Sequence, residues 1–232
     1  MSEITQFAGF PAEGIQFLVD LAENNGRDWF QAHKKTYQEC LLRPAQSFVQ
    51  AMGERLKTIS RGIQFDTATS GRGSIMRIYR DTRFSKDKTP YYTYLRVMFW
   101  EGAGKKMENP GFMLWIDPAG AGMYAGMYSF TKSQLESYRD AVVDETMGSS
   151  LIAAIDAVRS AGDYEIGGAH YKRAPRGYDA DHERVELLKH NGLWAKSPAI
   201  EPALMTTPEL VDACFAHCHN AAPLHRWLLG AV

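Results

Sequence analysis

Hydrophobic positions between residues 11 and about 61 recur with helical spacing. P-A-E-G-I-Q-F-L-V-D-L-A opens the run, and Trp29, Phe30, His33, Tyr37, Cys40 and Leu41 then keep to one helical face. Phe48, Val49, Met52, Leu56 and Ile59 form a second stripe. Pro44 falls between the two stripes, where it must start a new helix or kink the old one, because its ring fixes φ and removes a donor. The spacing predicts helices laid on a large apolar surface.

From about 63 to 128 the pattern changes to strands. T-Y-L-R-V-M-F-W (93 to 100), G-F-M-L-W-I-D (111 to 117) and G-M-Y-A-G-M-Y (122 to 128) are aromatic and β-branched runs. The segments between them, E-G-A-G-K-K-M-E-N-P and P-A-G-A-G, have turn chemistry, and such short connections join antiparallel neighbours. I-M-R-I-Y-R (75 to 80) reads as a preceding strand. Alternation sends Arg77 out with Ile75 and Tyr79, and Arg80 with Met76 and Ile78. Neither face is purely polar, so at least one of these arginines lies on an apolar surface, where a guanidinium needs a carboxylate or a ligand.

Beyond residue 130 the pattern reads as helical again. Thr131 and Gln134 resemble a capping box, Gly148 and Gly162 resemble C-terminal stops, and Thr207-Pro208 offers an N-cap with a first-turn proline. No linker, repeat or low-complexity segment interrupts the chain. Helices, a meander and more helices predict a single α+β domain over residues 1–232, an antiparallel sheet with N-terminal and C-terminal helices packed on it.

Composition narrows the partners. The 232 residues carry a formal net charge of -1, and a pI near 6.7 argues against a general polyanion binder. Three cysteines without a scaffold spacing, and a start without a basic or apolar leader segment, predict a reduced, cytoplasmic protein. No apolar run approaches the roughly 18 residues of a membrane span.

Against that neutral background, residues 77 to 91 concentrate Arg77, Arg80, Arg83, Lys86 and Lys88 beside only Asp81 and Asp87. A second basic segment, K-R-A-P-R-G-Y-D-A-D-H, sets Lys172, Arg173 and Arg176 on a Pro/Gly-shaped loop before Asp179, Asp181 and His182. Asp181 fits a helix N-cap there and His182 the first turn. N-N-G-R-D-W-F-Q-A-H-K (24 to 34) places Arg27 and Lys34 on a helix start, as a solvated charged face around an aromatic anchor. Other segments have structural explanations. E-G-A-G-K-K lacks the spacing and the Ser or Thr of a phosphate loop and reads as a hairpin turn. C-F-A-H-C-H (214 to 219) lacks a second ligand pair and reads as core packing, and His33 reads as a hydrogen-bonded core histidine.

The segments R-x-x-R-D-x-R-F-x-x-D-K-x-x-Y, N-N-x-R-x-W-F-x-x-H-K and R-A-P-R-G-Y-D-x-D-H together resemble the bacterial and fungal family called domain of unknown function 2461. The likeness runs from about Phe7 to His190, and the first motif is intact at Arg77, Arg80, Asp81, Arg83, Phe84, Asp87, Lys88 and Tyr91. It implies no activity, since the family has no established function. The C-terminal C-F-A-H-C-H lies outside it.

Three explanations of the charge follow. In the first, Arg77, Arg80, Arg83, Lys88, Tyr91 and Arg176 form a pocket for a small phosphate- or carboxylate-bearing molecule. His182 would then serve as acid or base, with Asp179 and Asp81 orienting side chains or holding a hard metal. The second is a non-catalytic protein or nucleic-acid interaction surface using Trp29, Tyr91 and Tyr92. The third is structural, with arginines cross-linked to Asp81 and Asp87 so that the loop is fixed. Binding groups concentrate on loops, which favours the first and predicts that Arg80, Arg83 and Arg176 converge. The overall charge disfavours nucleic acid; no cofactor is assigned, and whether the protein is an enzyme stays open.

Overall fold

The computed structural model describes residues 6–232, so the chain start read above, Met1 to Thr5, lies outside the described residues. Helix α1 (Ala12–Glu23) buries Gly14, Phe17, Leu18 and Leu21, the i, i+3, i+4, i+7 face that its sequence prescribes. After α2 (Arg27–Ala32) a short α3 (Lys34–Thr36) runs through a π-helical turn (Tyr37–Leu42) into α4 (Arg43–Leu56). Pro44 therefore sits in the first turn of α4, where its missing N–H costs least, and the wider π turn precedes it. Phe48, Val49, Met52 and Leu56 are buried, as the second stripe requires.

Strands β1 (Ile63–Gln64), β2 (Leu95–Glu101), β3 (Gly111–Asp117) and β4 (Gly120–Met127) follow. Along β4 burial alternates strictly, with Ala121, Met123, Ala125 and Met127 inward. Helices α5 (Lys132–Val143) and α6 (Glu145–Ser160) come next, then β5 (Glu165–Ala169), α7 (Val185–Leu188), β6 (His190–Lys196) and α8 (Leu210–Ala231). The six strands form one antiparallel sheet in the order β1-β2-β3-β4-β6-β5, so the fold is α+β as the sequence predicts. Among the described residues no helix is long and apolar enough to cross a membrane.

Several expectations are corrected. Residues 75 to 80 make no continuous strand; their backbone pairs at the isolated bridges Ile75↔Val97 and Tyr79↔Tyr91. Pro90 accepts from Arg80 N–H at 2.9 Å but has no N–H to return, which breaks the ladder there. The final third is not all helical, because β5 and β6 complete the sheet. The sequence of β5, E-I-G-G-A, hides its strand character: a Cβ on Gly168 would stand 2.0 Å from the Gly192 carbonyl oxygen, and φ is +123°. Gly148 does not stop a helix but lies inside α6, with the Arg184 guanidinium carbon 2.6 Å from where a Cβ would sit. Gly162, at φ +150°, does follow the end of α6. The capping box is present in full, Thr131 and Gln134 bonding reciprocally at 3.0 and 3.3 Å. Thr207 precedes α8, which begins at Leu210.

Contacts divide the chain into two compact units. The first comprises the described N-terminal residues up to Phe99, with Met113–Gly122 and Ala199–Ala216. Its core is aromatic: Phe7, Phe10 and Phe48 meet at 5.4 to 6.4 Å, and Phe48 of α4 reaches Phe99 of β2 at 6.3 Å. The second comprises Trp100–Phe112, Met123–Pro198 and His217–Val232. Here α5 packs Tyr138 against Phe130 and Trp227, at 4.7 and 5.9 Å, and the Trp227 indole donates to the Met147 carbonyl at 2.9 Å.

Candidate functional site

In the first unit the basic motif folds into a loop pinned by its own charges. Arg83 grips the Asp81 carboxylate with Nε at 3.0 Å and Nη2 at 2.7 Å. Arg80 donates from Nη1 to Asp87, to the Thr89 hydroxyl and, at 3.2 Å, to the Thr89 carbonyl. Lys88 Nζ donates to the Thr82 carbonyl at 2.9 Å. Hydrogen bonds from Arg83 hold the Asp81 carboxyl at about 2, and bonds from the Thr89 amide, the Thr89 hydroxyl and Arg80 do the same for Asp87. Both acids of the motif are therefore committed to the loop, as the structural explanation expects. Arg80 is the more sheltered donor, with a side chain 19 % exposed against 76 % for Arg83.

Beside this loop lies a hollow of about 360 Å³ lined by Arg27, Gln31, Tyr79, Arg80, Thr82 and Tyr91, together with Pro90. Its floor is aromatic. Tyr91 stacks on Phe30 with centroids 4.1 Å apart, and Tyr79 approaches both rings at 5.8 and 5.3 Å. Burial first, then the nearby Tyr79, pushes the Tyr91 phenol up, while Arg27 pulls it back, which places that guanidinium within electrostatic reach of the ring. Burial and Tyr79 also raise Tyr37 far above its ordinary value. These phenols stay neutral hydrogen-bonding groups at physiological pH.

Two distant motifs meet here through one side chain. Asn25 Nδ2 donates to the Tyr91 carbonyl at 2.9 Å, and Asn25 Oδ1 accepts from the Tyr91 amide at 3.1 Å. The amide thus takes the place of a neighbouring strand and fixes Tyr91 against α2. Asn25→Ala leaves both backbone groups short of a partner and is expected to lower stability by about 1–3 kcal/mol. Urea denaturation measures the loss; a change within about 0.3 kcal/mol would show that the pair is replaced by solvent.

The expected site residues are placed as follows. Arg80 and Tyr91 share the hollow. Arg77 lines another, about 480 Å³ in volume, with Ser70, Gly71 and Arg72. Arg83, Lys88 and Asp81 belong to the pinned loop. Arg176, Asp179 and His182 lie in the second unit. There Arg176 is exposed, Asp179 Oδ1 accepts from the Asp181 amide at 2.9 Å, and His182 Nδ1 accepts from the Arg184 amide at 3.0 Å. Asp181 caps no helix, because α7 begins only at Val185. His182 precedes that helix rather than entering it.

Other expectations change too. His33 is exposed rather than in the core, stacked on Trp29 at 4.1 Å with Nδ1 on the Trp29 carbonyl at 2.8 Å. Tyr92 is half-buried under Arg96, whose guanidinium carbon is 4.8 Å from its ring centre. The core-packing reading of Cys214 and Cys218 holds, since both are buried on α8, and His217 Nδ1 meets the Tyr164 hydroxyl at 2.7 Å. Among the described residues no group of three or more His, Cys, Asp or Glu could hold a metal ion. Sequence reasoning gives Arg27 only the part of a solvated charge and gives Asn25 none. Their signal, N-N-x-R before W-F, is present, but its partner Tyr91 stands 66 residues from Asn25.

Compared with known proteins, residues 13–227 match the model of the family described as conserved hypothetical protein (DUF2461). The match includes the C-terminal helix, which the sequence likeness left out. No curated protein and no solved structure matches the chain.

Proposed function

The chain belongs to the DUF2461 family, whose description carries no activity, and from the site alone we propose that it binds a small phosphate- or carboxylate-bearing molecule between Arg27 and Arg80. One observation carries the reading: two arginines and no acidic residue line a hollow of about 360 Å³. Arg80 is anchored through Nη1, and its Nε and Nη2 meet no protein acceptor among the described residues. A guanidinium fixed at one nitrogen loses little freedom when the others bind an anion, and such charge-assisted bonds are about twice as strong as neutral ones. Arg27 is exposed and pairs with no acid among the described residues. The aromatic floor would receive the apolar part of the ligand, and Gln31, Thr82 and the Tyr91 phenol would orient its polar part.

Arg77 and Lys88 form no ion pair among the described residues, and in this proposal they steer the ligand, while Arg83 stays paired with Asp81. Arg176, His182 and Asp179 lie in the second unit and are no part of this hollow; they and Asp81 are the groups to vary first if a reaction is found. Phe84 favours the interaction-surface alternative, since it is 95 % exposed at the tip of the pinned loop, with the Arg83 guanidinium 5.8 Å from its ring centre.

Thermal denaturation with orthophosphate or citrate, at fixed ionic strength, separates the two. The wild-type protein should gain several degrees, because a ligand at about 100 times its Kd adds about 2.7 kcal/mol. Arg27→Ala should lose that gain while its Tm without anion stays near wild type. An undiminished response in Arg27→Ala would remove the hollow from consideration. Oligonucleotide binding that survives physiological salt and disappears in Phe84→Ala would transfer the function to the loop tip.

A further inference from the structure

The second unit carries a basic hollow of its own, which the proposal above does not use. It measures about 420 Å³ and is lined by Arg139, Tyr171, Lys172, Arg173, Ala174 and Pro175. Three of the six are cations and none is an acid. Arg139, on α5, is held in place from two sides. Its guanidinium carbon lies 5.1 Å from the Tyr171 ring centre, and its Nε donates to the Leu188 carbonyl at 3.3 Å. Both terminal nitrogens then meet no protein acceptor among the described residues. Lys172 and Arg173 are exposed and form no ion pair among those residues.

The neighbouring carboxylate is already engaged. Asp140 Oδ1 accepts the Tyr178 hydroxyl at 2.7 Å, and the Arg139 side chain bonds the Leu188 carbonyl rather than Asp140. The loop itself is tied down before the cations, since the amides of His170 and Tyr171 both donate to the Lys189 carbonyl, at 3.0 and 2.9 Å. Three like charges around one hollow repel one another, and the repulsion is relieved by an anion of more than one charge seated among them. A single carboxylate would neutralise only one of the three. Phosphate offers two or more negative charges and several acceptor oxygens to a guanidinium fork and an ammonium.

We infer that the hollow formed by Arg139, Lys172 and Arg173 is a second anion site, which takes a phosphomonoester or pyrophosphate group and acts independently of the Arg27–Arg80 hollow. Arg139 is its fixed donor, Tyr171 the ring that orients that donor, and Lys172 and Arg173 the charges that close over the ligand. Ala174 and Pro175 supply an apolar wall for the carbon next to a phosphoester.

The test is a nuclear magnetic resonance titration of the isotope-labelled full chain with pyrophosphate, at constant ionic strength, with acetate as the monoanion control. The Arg139 Nε–H signal and the Lys172 and Arg173 amides should move together and saturate with pyrophosphate, and respond little to acetate. Lys172→Ala with Arg173→Ala removes two exposed side chains and should weaken binding about tenfold or more, with the remaining spectrum unchanged. Arg27→Ala should leave the same shifts intact, which separates this site from the first. Still signals at Arg139, or a double variant that titrates like wild type, would overturn the inference. Loss of these shifts in Arg27→Ala would overturn its independence.

Discussion

Replacing Phe30 with alanine is expected to cost about 3–5 kcal/mol of stability and to abolish the response to small anions. Phe30 is completely buried, and four aromatic rings rest on it: Tyr91 at 4.1 Å, Tyr37 at 5.4 Å, Tyr79 at 5.8 Å and Phe17 at 6.0 Å. Truncation removes the transfer energy of the ring and leaves a cavity that its stiff aromatic neighbours fill only in part. The functional loss follows from the same contacts, because Tyr91 and Tyr79 form the floor of the hollow and would tilt into the space. A urea titration should show a lower midpoint at an unchanged slope, and an anion titration of the variant should be flat. A loss under about 1 kcal/mol with anion binding preserved would show that the rings hold their places without it.

Stability should also fall below about pH 6.5, through two buried histidines of the second unit. His225 is fully buried and His190 is 7 % exposed. The neutral His225 ring donates from Nε2 to Glu101 at 2.9 Å, and neither Nδ1, of His225 or of His190, has a partner among the described residues. Burial pushes both histidines below their ordinary value, against the opposing pull of Glu101 on His225 and of the Gly192 backbone on His190. The folded value therefore lies below the unfolded one. Full stability is present above about pH 6.5, and it is lost as the pH drops, because the unfolded chain then takes up protons that the folded chain refuses. Each such histidine adds to the slope, by at most about 1.4 kcal/mol per pH unit, where the unfolded ring is protonated and the folded ring is not. His217, half-buried against Tyr164, shifts in the same direction. Asp81 and Asp87 act only in stronger acid, where protonation releases Arg83 and Arg80 and the loop loosens. Urea denaturation at pH 7.5, 6.5 and 5.5 measures the slope, and His225→Gln should remove about half of it. Stability that is flat or rising on acidification would contradict this assignment.

Where neighbours along the chain decide the structure, its sequence announces it. The buried face of α1, the Phe48 to Leu56 stripe, the alternation in β4 and the Thr131 capping box all appear as residues three, four or two positions apart. Where distant backbone decides, it does not. Strand β5 has glycines because the Gly192 carbonyl passes within 2.0 Å of a would-be Cβ, a fact about β6 rather than about β5. Gly148 suggests a helix stop until Arg184 is seen lying across it. His33 follows a helical stripe but points outward, because the short helices before the π turn change the phase of the face. The site behaves in the same way. That Arg80 and Tyr91 line the hollow, and that Asp81 and Asp87 pin the loop, concerns residues one charged motif already groups together. Arg27 looked like a solvated charge because the phenol beside it comes from a segment more than sixty residues away.

The most direct measurement is a crystal structure of the wild-type chain grown with selenate, whose anomalous signal marks a tetrahedral anion without ambiguity. The expected result is a selenate between the Arg27 and Arg80 guanidinium groups, over the Tyr79 and Tyr91 rings, with the Arg80 to Asp87 pair still in place. Selenate bound elsewhere while that hollow holds only water, in a crystal that leaves Arg27 and Arg80 free of lattice contacts, would contradict the proposed binding site.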